Sequence, residues 1–473
     1  MTQGSGYPTR LPQIDLGCDT NAASAQGPPS PDGARRQVFS RVMLLVLGVW
    51  MALCGGTLYA FSAWEVELMS DCHLTARQLG EIYTFGQFGV GLGLVPGWLY
   101  DQRGPRAACL FALLLTLLGN AGLHLAIASS HHGSCASTPS IGVLYLLLQN
   151  GSVAMYQSGL LTNQAAAPRH RQGTVVGIVA AGYGLSAAAF SQAYVLIFHG
   201  DLRDYLRGTG AVFAATSVVG ALALPRLLVD AGGRAAAGWG YGSLADARSE
   251  SPVGPKPIAI GVDLDGSRAA DENGAAEGAV AEPCAPGTPS KPTASQLELS
   301  LTQALRSWDL WHSIGTFALL QAVGSGMFIA NLSLMSASLG VAEAQRLSYV
   351  RAVSYCNCLG RVLAGVLIDA AEAHYGTPRA AHYVWTSGVL VVAAGVLRTA
   401  PEDAMRPLLF PCLMAMGLAY GANWAIMPSY LLTRFGSANK GVLFNMHASG
   451  LAIAVAATSG VVGGLYDDAA AKQ

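Results

Sequence analysis

Eleven apolar runs recur along this chain, at about 42–64, 78–99, 106–128, 141–165, 174–198, 207–229, 310–337, 347–370, 380–399, 406–432 and 442–464. Each is near the roughly 20 residues that carry a helix across a bilayer. In hydrocarbon only helices and closed barrels satisfy their own backbone groups. The charged share is 12%, about half of the roughly 25% found in a soluble domain, and mean hydropathy is +0.39. The chain therefore reads as an all-α polytopic membrane protein, multi-pass, with the lipid bilayer as its first partner.

Other classes find little support. A net charge of -1 carries no nucleic-acid signature. No Gly-x-x-x-x-Gly-Lys-Ser/Thr loop is present for ATP, and no nucleophile–base constellation stands out, so an enzyme is not expected. The nine cysteines lack zinc spacing, and neither a metal site nor a cofactor is expected. Cys72 and Cys135 fall in two loops of the outer face, where a disulfide and two free thiols are both open readings. Glu65, Glu67 and Glu81 read as solvated residues of that face.

Breaks in the apolar pattern set the domains. Residues 1–40, rich in Gly, Pro, Ser and Asp without an apolar signal core, read as a disordered cytoplasmic tail. Residues 41–229 hold six spans. Residues 230–308 are too polar to order themselves and read as a disordered cytoplasmic linker, ending in an amphipathic stretch, Leu297 to Trp308. Residues 309–473 hold five spans. Arg103 and Arg106, Arg169 and Arg171, Arg379, Arg434 and Lys440 share one face with the arginines of the tail, which places the N-terminus in the cytoplasm. The opposite loops also carry charge, at Asp201, Arg203, Asp204, Arg207, Arg398 and Arg406, so the bias is moderate.

A short charged turn, Gly97-Trp98-Leu99-Tyr100-Asp101-Gln102-Arg103-Gly104-Pro105-Arg106, joins the second and third runs. Its Gly-x-x-x-Asp recurs as Gly365 to Asp369, 268 residues later. The same offset carries Gln172-Gly173, before the fifth run, onto Lys440-Gly441, before the eleventh. Two landmarks with one offset indicate duplicated halves starting from the same face, a parallel-repeat architecture known in transporters.

The turn at Gly97 to Arg106 resembles the signature loop of the Major Facilitator Superfamily, with Gln102 and Pro105 replacing two usual basic residues. Four further segments resemble its nodulin-like branch, related to monocarboxylate and oxalate/formate carriers. They are Gly56 to Ser62, Gln172 to Gly177, Leu359 to Gly365 and Tyr420 to Pro428. The resemblance implies a Major Facilitator fold of two parallel six-span halves, and with eleven runs the twelfth span is expected to be missing. It also implies that the loop of one half closes onto a helix start in the other, Asp101 against Gly441 and Asp369 against Gly173. Gly97, Arg103, Gly104, Arg106 and Gly365 belong to the same gating loops. The alternative is that each Asp only marks a solvated helix end.

Arg361 lies inside the eighth run, where an arginine costs roughly 2.5–3.5 kcal/mol at the bilayer centre. It calls for a wet cavity, a counter-charge or an anionic ligand, unless it snorkels toward the helix end near Asp369 or is paired within the bundle. In monocarboxylate carriers the matching arginine is linked to the substrate anion and to proton coupling, with an acidic partner one turn earlier. Here that position is Asn357. In this fold spans one, four, seven and ten line the cavity, which makes Tyr59, Asn150, Gln157, Gln321, Asn331, Asn423 and Trp424 substrate-binding candidates, with interhelical bonding as their other role. His447 is the proton-coupling candidate, with a packing histidine as its alternative.

The expected function is secondary active transport of a small solute, an organic anion such as a monocarboxylate, with or without a proton, by a monomer using alternating access. The alternatives are a non-transporting membrane sensor or scaffold and a metal-related transporter.

Overall fold

The computed structural model describes residues 31–128, 135–232, 299–326, 332, 336 and 340–470. Among them the ordered elements are all helical. In chain order they are α1 (Pro31–Gly55), α2 (Glu65–Cys72), α3 (Ala76–Gly91), α4 (Leu94–Ala128), α5 (Thr138–Ala166), α6 (Gln172–Leu196) and α7 (Leu202–Asp230). There follow α8 (Leu301–Arg306), α9 (Trp308–Ala318), α10 (Glu343–Tyr375), α11 (His382–Thr399), α12 (Glu402–Phe435) and α13 (Lys440–Ala470).

Among the described residues, eight helical stretches are long and apolar enough to cross a membrane. One of them, Arg77–Ile127, contains two passes. It breaks at Gly104, whose φ of 79° lies in the left-handed region that glycine adopts without a Cβ clash. A disulfide joins Cys72, before α3, to Cys135, after α4, with their Cα atoms 5.3 Å apart. The chain between them therefore runs across and returns, and the open question about these thiols closes on the bond. The fourth pass, α5, is not among the eight. Its buried face carries Gln149, Asn150, Gln157, Asn163 and Gln164, which lowers its apolarity while every one of them is shielded from lipid.

Several boundaries differ from expectation. Residues 31–40, expected in the tail, are helix: Pro31 and Asp32 suit a helix N-terminus, and the new turns are anchored on the end of α7. Arg36 pairs with Asp230 at 3.2 Å, while Gln37 and Arg41 donate to the Ala231 carbonyl. The first pass is not one helix. It breaks after Gly55 into a 3-10 segment, Thr57–Ala63, before α2. Gly56 sits there because a Cβ would meet the Tyr183 carbonyl at 2.6 Å. The seventh pass starts as α9, loosens into a π-helical segment at Leu319–Gly326, and then leaves the described residues. At the end of the linker, the amphipathic stretch forms only Leu301–Arg306, opened by a Ser300–Gln303 capping box. Leu299 is held there between Phe435 and Asn439. Linker residues 233–298 lie outside the described residues.

Three apolar clusters organise the interior. One lies within the first half, around Met51, Tyr145 and Phe213. One lies within the second, around Leu413 and Met416. The third joins the halves, packing Tyr156, Val176 and Tyr183 on Ala364, Trp424 and Phe444. The glycines of the second pass serve close packing. A Cβ at Gly86 would strike Tyr145, and one at Gly89 would strike the Leu146 carbonyl at 2.4 Å.

Candidate functional site

Two contacts of matching design join the halves at the face bearing Asp101 and Asp369. The Asp101 carboxylate accepts from the Gly441 and Val442 amides, each at 2.8 Å. The Asp369 carboxylate accepts from the Gly173 and Thr174 amides at 2.9 and 2.6 Å, and from the Thr174 hydroxyl at 2.8 Å. Each aspartate thus caps the first turn of a helix in the opposite half, α13 or α6, where unpaired N–H groups and the helix dipole favour an anion. Glycine permits the approach. A Cβ on Gly97 would lie 2.5 Å from the Gly441 carbonyl, and one on Gly365 2.3 Å from that of Gly173. Both aspartates are 7% exposed, so the solvated-helix-end reading fails for each.

The two latches differ in their cations. At the first, Lys440 Nζ donates to the Leu161 carbonyl at 3.0 Å and lies over the Tyr100 ring. At the second, Arg379 reaches in from the start of α11. It donates to Glu372 at 2.7 Å, lies 3.7 Å from Asp369, and meets the Arg169 carbonyl of the other half at 3.5 Å. Arg103 and Arg106, expected in the gating loops, are exposed and take no part in the latch among the described residues. Asn445 is the participant that sequence reasoning passed over. Its side chain donates to the Gly441 carbonyl at 2.7 Å and to Gln157 of α5, and a Cβ on Gly93 or Gly97 would collide with it. Its place four residues after Gly441 was the available signal.

Above the latches lies Arg361, fully buried in the middle of α10. The snorkelling alternative does not hold. Nε donates to Asn357 Oδ1 at 3.0 Å, and Nη1 to the Ala180 carbonyl of α6 at 3.1 Å. α6 is cut away to admit it: a Cβ on Gly177 would sit 2.4 Å from the Arg361 carbonyl, and one on Gly184 3.3 Å from Nε. The guanidinium carbon stacks 5.4 Å from the Tyr183 ring and 5.8 Å from that of Trp424, a cation–π geometry. Among the described residues Nη2 makes no well-aligned hydrogen bond, and the Tyr156 hydroxyl lies close to the guanidinium.

Arg361 lines a small cavity together with Val90, Val153, Tyr156, Tyr183, Trp424, Phe444 and Ala448. None of these is acidic. The enclosed space is ≈ 10 Å³, about the room of one water molecule, so the site is shut. Among the described residues, nearby buried polar atoms also lack partners: Gln157 Nε2, Trp424 Nε1 and Asn423 Oδ1. Tyr59 and Tyr420 share a hydroxyl–hydroxyl bond of 2.7 Å across the halves. Gln321 bonds Asn423 and the Tyr420 carbonyl, each at 3.3 Å.

The candidates therefore divide. Asn357, Tyr59, Gln157, Gln321, Asn423 and Trp424 gather around Arg361 and the interface. Asn150 does not: its amide donates to the Gly89 carbonyl at 2.9 Å and fastens α5 to α3. Asn331 lies outside the described residues. His447 is fully buried between Ser313 and its own helix. Glu67, expected to be solvated, accepts from the Tyr194 hydroxyl and the Leu202 amide. It clamps α2 onto the start of α7.

Comparison with known proteins bears on the family and the fold. Residues 41–228 match the Nodulin-like family model. The chain is 30% identical over 154 residues to the uncharacterized membrane protein YMR155W of Saccharomyces cerevisiae. That stretch is 32% of this chain and 27% of the relative, so it spans about a quarter of that protein. Among solved structures, the proton:xylose symporter XylE bound to 6-bromo-6-deoxy-D-glucose superposes with a TM-score of 0.56 at 12% identity, covering 88% of this chain and 86% of that one. The E. coli fucose:proton symporter FucP superposes with a TM-score of 0.51 at 13% identity, covering 92% and 94%. The chain thus carries the Major Facilitator fold, and residues 41–228 are similar to the Nodulin-like family.

Proposed function

We propose that the protein is a secondary transporter that moves a small organic anion, of the monocarboxylate kind, by rocking its two halves about Arg361. The observation that carries this reading is the guanidinium itself. It is fully buried, lines a cavity without a carboxylate, and among the described residues Nη2 makes no well-aligned hydrogen bond. An unsatisfied buried donor costs about 1–3 kcal/mol, and more when charged. A carboxylate ligand would remove that cost with the bidentate geometry that arginine favours. Two further donors near it, on Gln157 and Trp424, make no hydrogen bond among the described residues, which suits an acceptor-rich solute. The latches support alternating access, since both join opposite halves on one face and both must part before that face opens.

The orientation proposed puts the latches and the N-terminus in the cytoplasm. The Cys72–Cys135 bond supports it: disulfides persist on the oxidising side of a membrane, and this one lies at the end of α3 and α4 opposite Asp101.

The test is uptake of radiolabelled monocarboxylates by proteoliposomes, with and without a pH gradient. Saturable uptake of at least one of them supports the reading. Flux of neutral sugars with none of any anion would replace it, and no flux of any solute would favour a sensor.

A further inference from the structure

A hydrogen bond crosses between the halves on the far side of Arg361 from the latches. The Tyr59 and Tyr420 hydroxyls lie 2.7 Å apart, and their rings meet edge to face with centroids 6.4 Å apart. Their depth follows from α6, which runs from the second latch at Gln172 toward the outer end at Leu196. The Ala180 carbonyl of α6 accepts from Arg361. Gly56 faces Tyr183 and Ser186, three and six residues farther out, where a Cβ would lie 2.6 Å and 2.7 Å from their atoms. Tyr59 follows Gly56 on a pass that also runs outward. Its backbone therefore stands at least one turn outside the Arg361 anchor, about 5 Å at 1.5 Å per residue. Tyr183 fills the step between them: its ring takes the guanidinium at 5.4 Å and the edge of the Tyr59 ring at 5.5 Å.

From the latches outward the halves stay in contact along two seams. On one, Cβ atoms on Gly177 and Gly184 of α6 would touch Arg361 and Cys358 of α10. On the other, Ser449 of α13 donates to the Gly91 carbonyl, and a Cβ on Gly91 would lie 2.6 Å from Ala452. Farther out the first half turns to itself: Gly86 packs on Tyr145, and Tyr194 bonds Glu67. Among the described residues, the hydroxyl pair is the hydrogen bond that joins the halves outward of these seams. Tyr59 is half-buried, while Arg361 beneath it is 0% exposed. Both tyrosines hang on irregular backbone. Tyr59 belongs to the 3-10 segment that interrupts the first pass, a geometry that often marks a hinge. The Tyr420 carbonyl accepts from Gln321, which lies in the π-helical segment of the seventh pass.

We propose that Tyr59 and Tyr420 form the outer gate of the Arg361 site. The latches hold one side of the site shut, and the phenol pair roofs it on the other. Parting of the two hydroxyls admits solute from the outer side while the latches stay closed. The gate rests on the alternating-access reading but not on the choice of solute, and its test needs none.

Ala448 lines the cavity with Arg361, so Ala448→Cys in the full chain reports access to the site. A membrane-impermeant methanethiosulfonate is added from outside to intact cells, and modification of position 448 is followed by peptide mass spectrometry. Tyr59→Phe and Tyr420→Phe each keep the ring and lose the bond. Each is expected to raise the rate of modification at least threefold. The double variant should be no faster than the faster single one, because a single bond joins the pair. Asp369→Asn, which loosens the opposite face, should not raise the rate. An increase below threefold in both single variants overturns the proposal, and so do additive effects in the double variant. Acceleration accompanied by lost hydrogen-exchange protection at 172–176 also overturns it, because the halves would then have loosened as a whole. Absence of anion uptake, with the expected labelling pattern intact, would refute the solute and leave the gate standing.

Discussion

The substitution Asp369→Asn measures what the second latch contributes. The carboxylate accepts three hydrogen bonds from the first turn of α6, at 2.9, 2.6 and 2.8 Å. A carboxamide in its place would keep one oxygen and turn an NH₂ toward an N–H that also donates, so at least one bond is lost and the others lose their charge assistance. Bonds to charged acceptors contribute about 1.5–3 kcal/mol each. The loss is offset in part because Arg379, 4% exposed, keeps Glu372 at 2.7 Å. A net loss of about 2–4 kcal/mol is expected. Because these contacts join opposite halves, nearly all of it enters the closed-to-open ratio, which falls roughly 30- to 700-fold at 1.4 kcal/mol per decade. Hydrogen exchange at 172–176 should accelerate by a similar factor up to the point where closure no longer limits it, while the melting temperature moves little. Exchange within threefold of the wild type would refute the latch reasoning.

Four other outcomes follow from the same contacts. Asp101→Ala with Asp369→Ala lowers the maximal rate of uptake at least tenfold with a small change in apparent affinity; unchanged transport would exclude a gating role. Asn357→Asp places a carboxylate where an oxygen now lies 3.0 Å from Arg361 Nε. Its charge competes with the anion at neutral pH, so uptake drops there and recovers as acidification protonates it, read in a pH series of initial rates. Gly365→Val drives a side chain into the Gly173 carbonyl, 2.3 Å from a Cβ. About 1–3 kcal/mol of overpacking should appear as a lower melting temperature and loss of closure. Reduction of Cys72–Cys135 should cost up to about 2–4 kcal/mol, and the freed thiols should react with an impermeant maleimide added from outside intact cells.

The repeat was the most legible feature in the sequence, because a buried carboxylate at a helix start demands two things that a sequence records: an aspartate, and a glycine opposite. One offset marked Asp101 and Asp369, and Gly173 and Gly441, as equivalent positions, and the family resemblance set each aspartate against the glycine of the other half. Arg361 was legible because an arginine within an apolar run needs an explanation. What stayed hidden was set by tertiary contact. Asn150 and Gln157 look alike on one face of α5, yet their different height, about two turns apart, gives one the Gly89 carbonyl and the other Asn445. Glu67 reads as a surface acid until the Tyr194 hydroxyl and Leu202 amide arrive from residues more than a hundred positions away. Arg379 belongs to the second latch through bonds with α10 and the Arg169 carbonyl, and the corresponding position of the first half is Phe111. The helical turns at 31–40 were masked by a Gly- and Pro-rich approach, and their anchor, Asp230, lies at the far end of the half.

The claim at the centre is that Arg361 binds the transported anion. Exchange of a radiolabelled monocarboxylate across proteoliposomes preloaded with the same unlabelled solute isolates binding and turnover from any driving gradient. Arg361→Gln keeps a polar side chain without charge, and Arg361→Lys keeps the charge without the planar fork. The account predicts saturable exchange in the wild type, at least a hundredfold loss in Arg361→Gln, and a weaker apparent affinity in Arg361→Lys. Wild-type exchange kinetics in a correctly folded Arg361→Gln protein would contradict it.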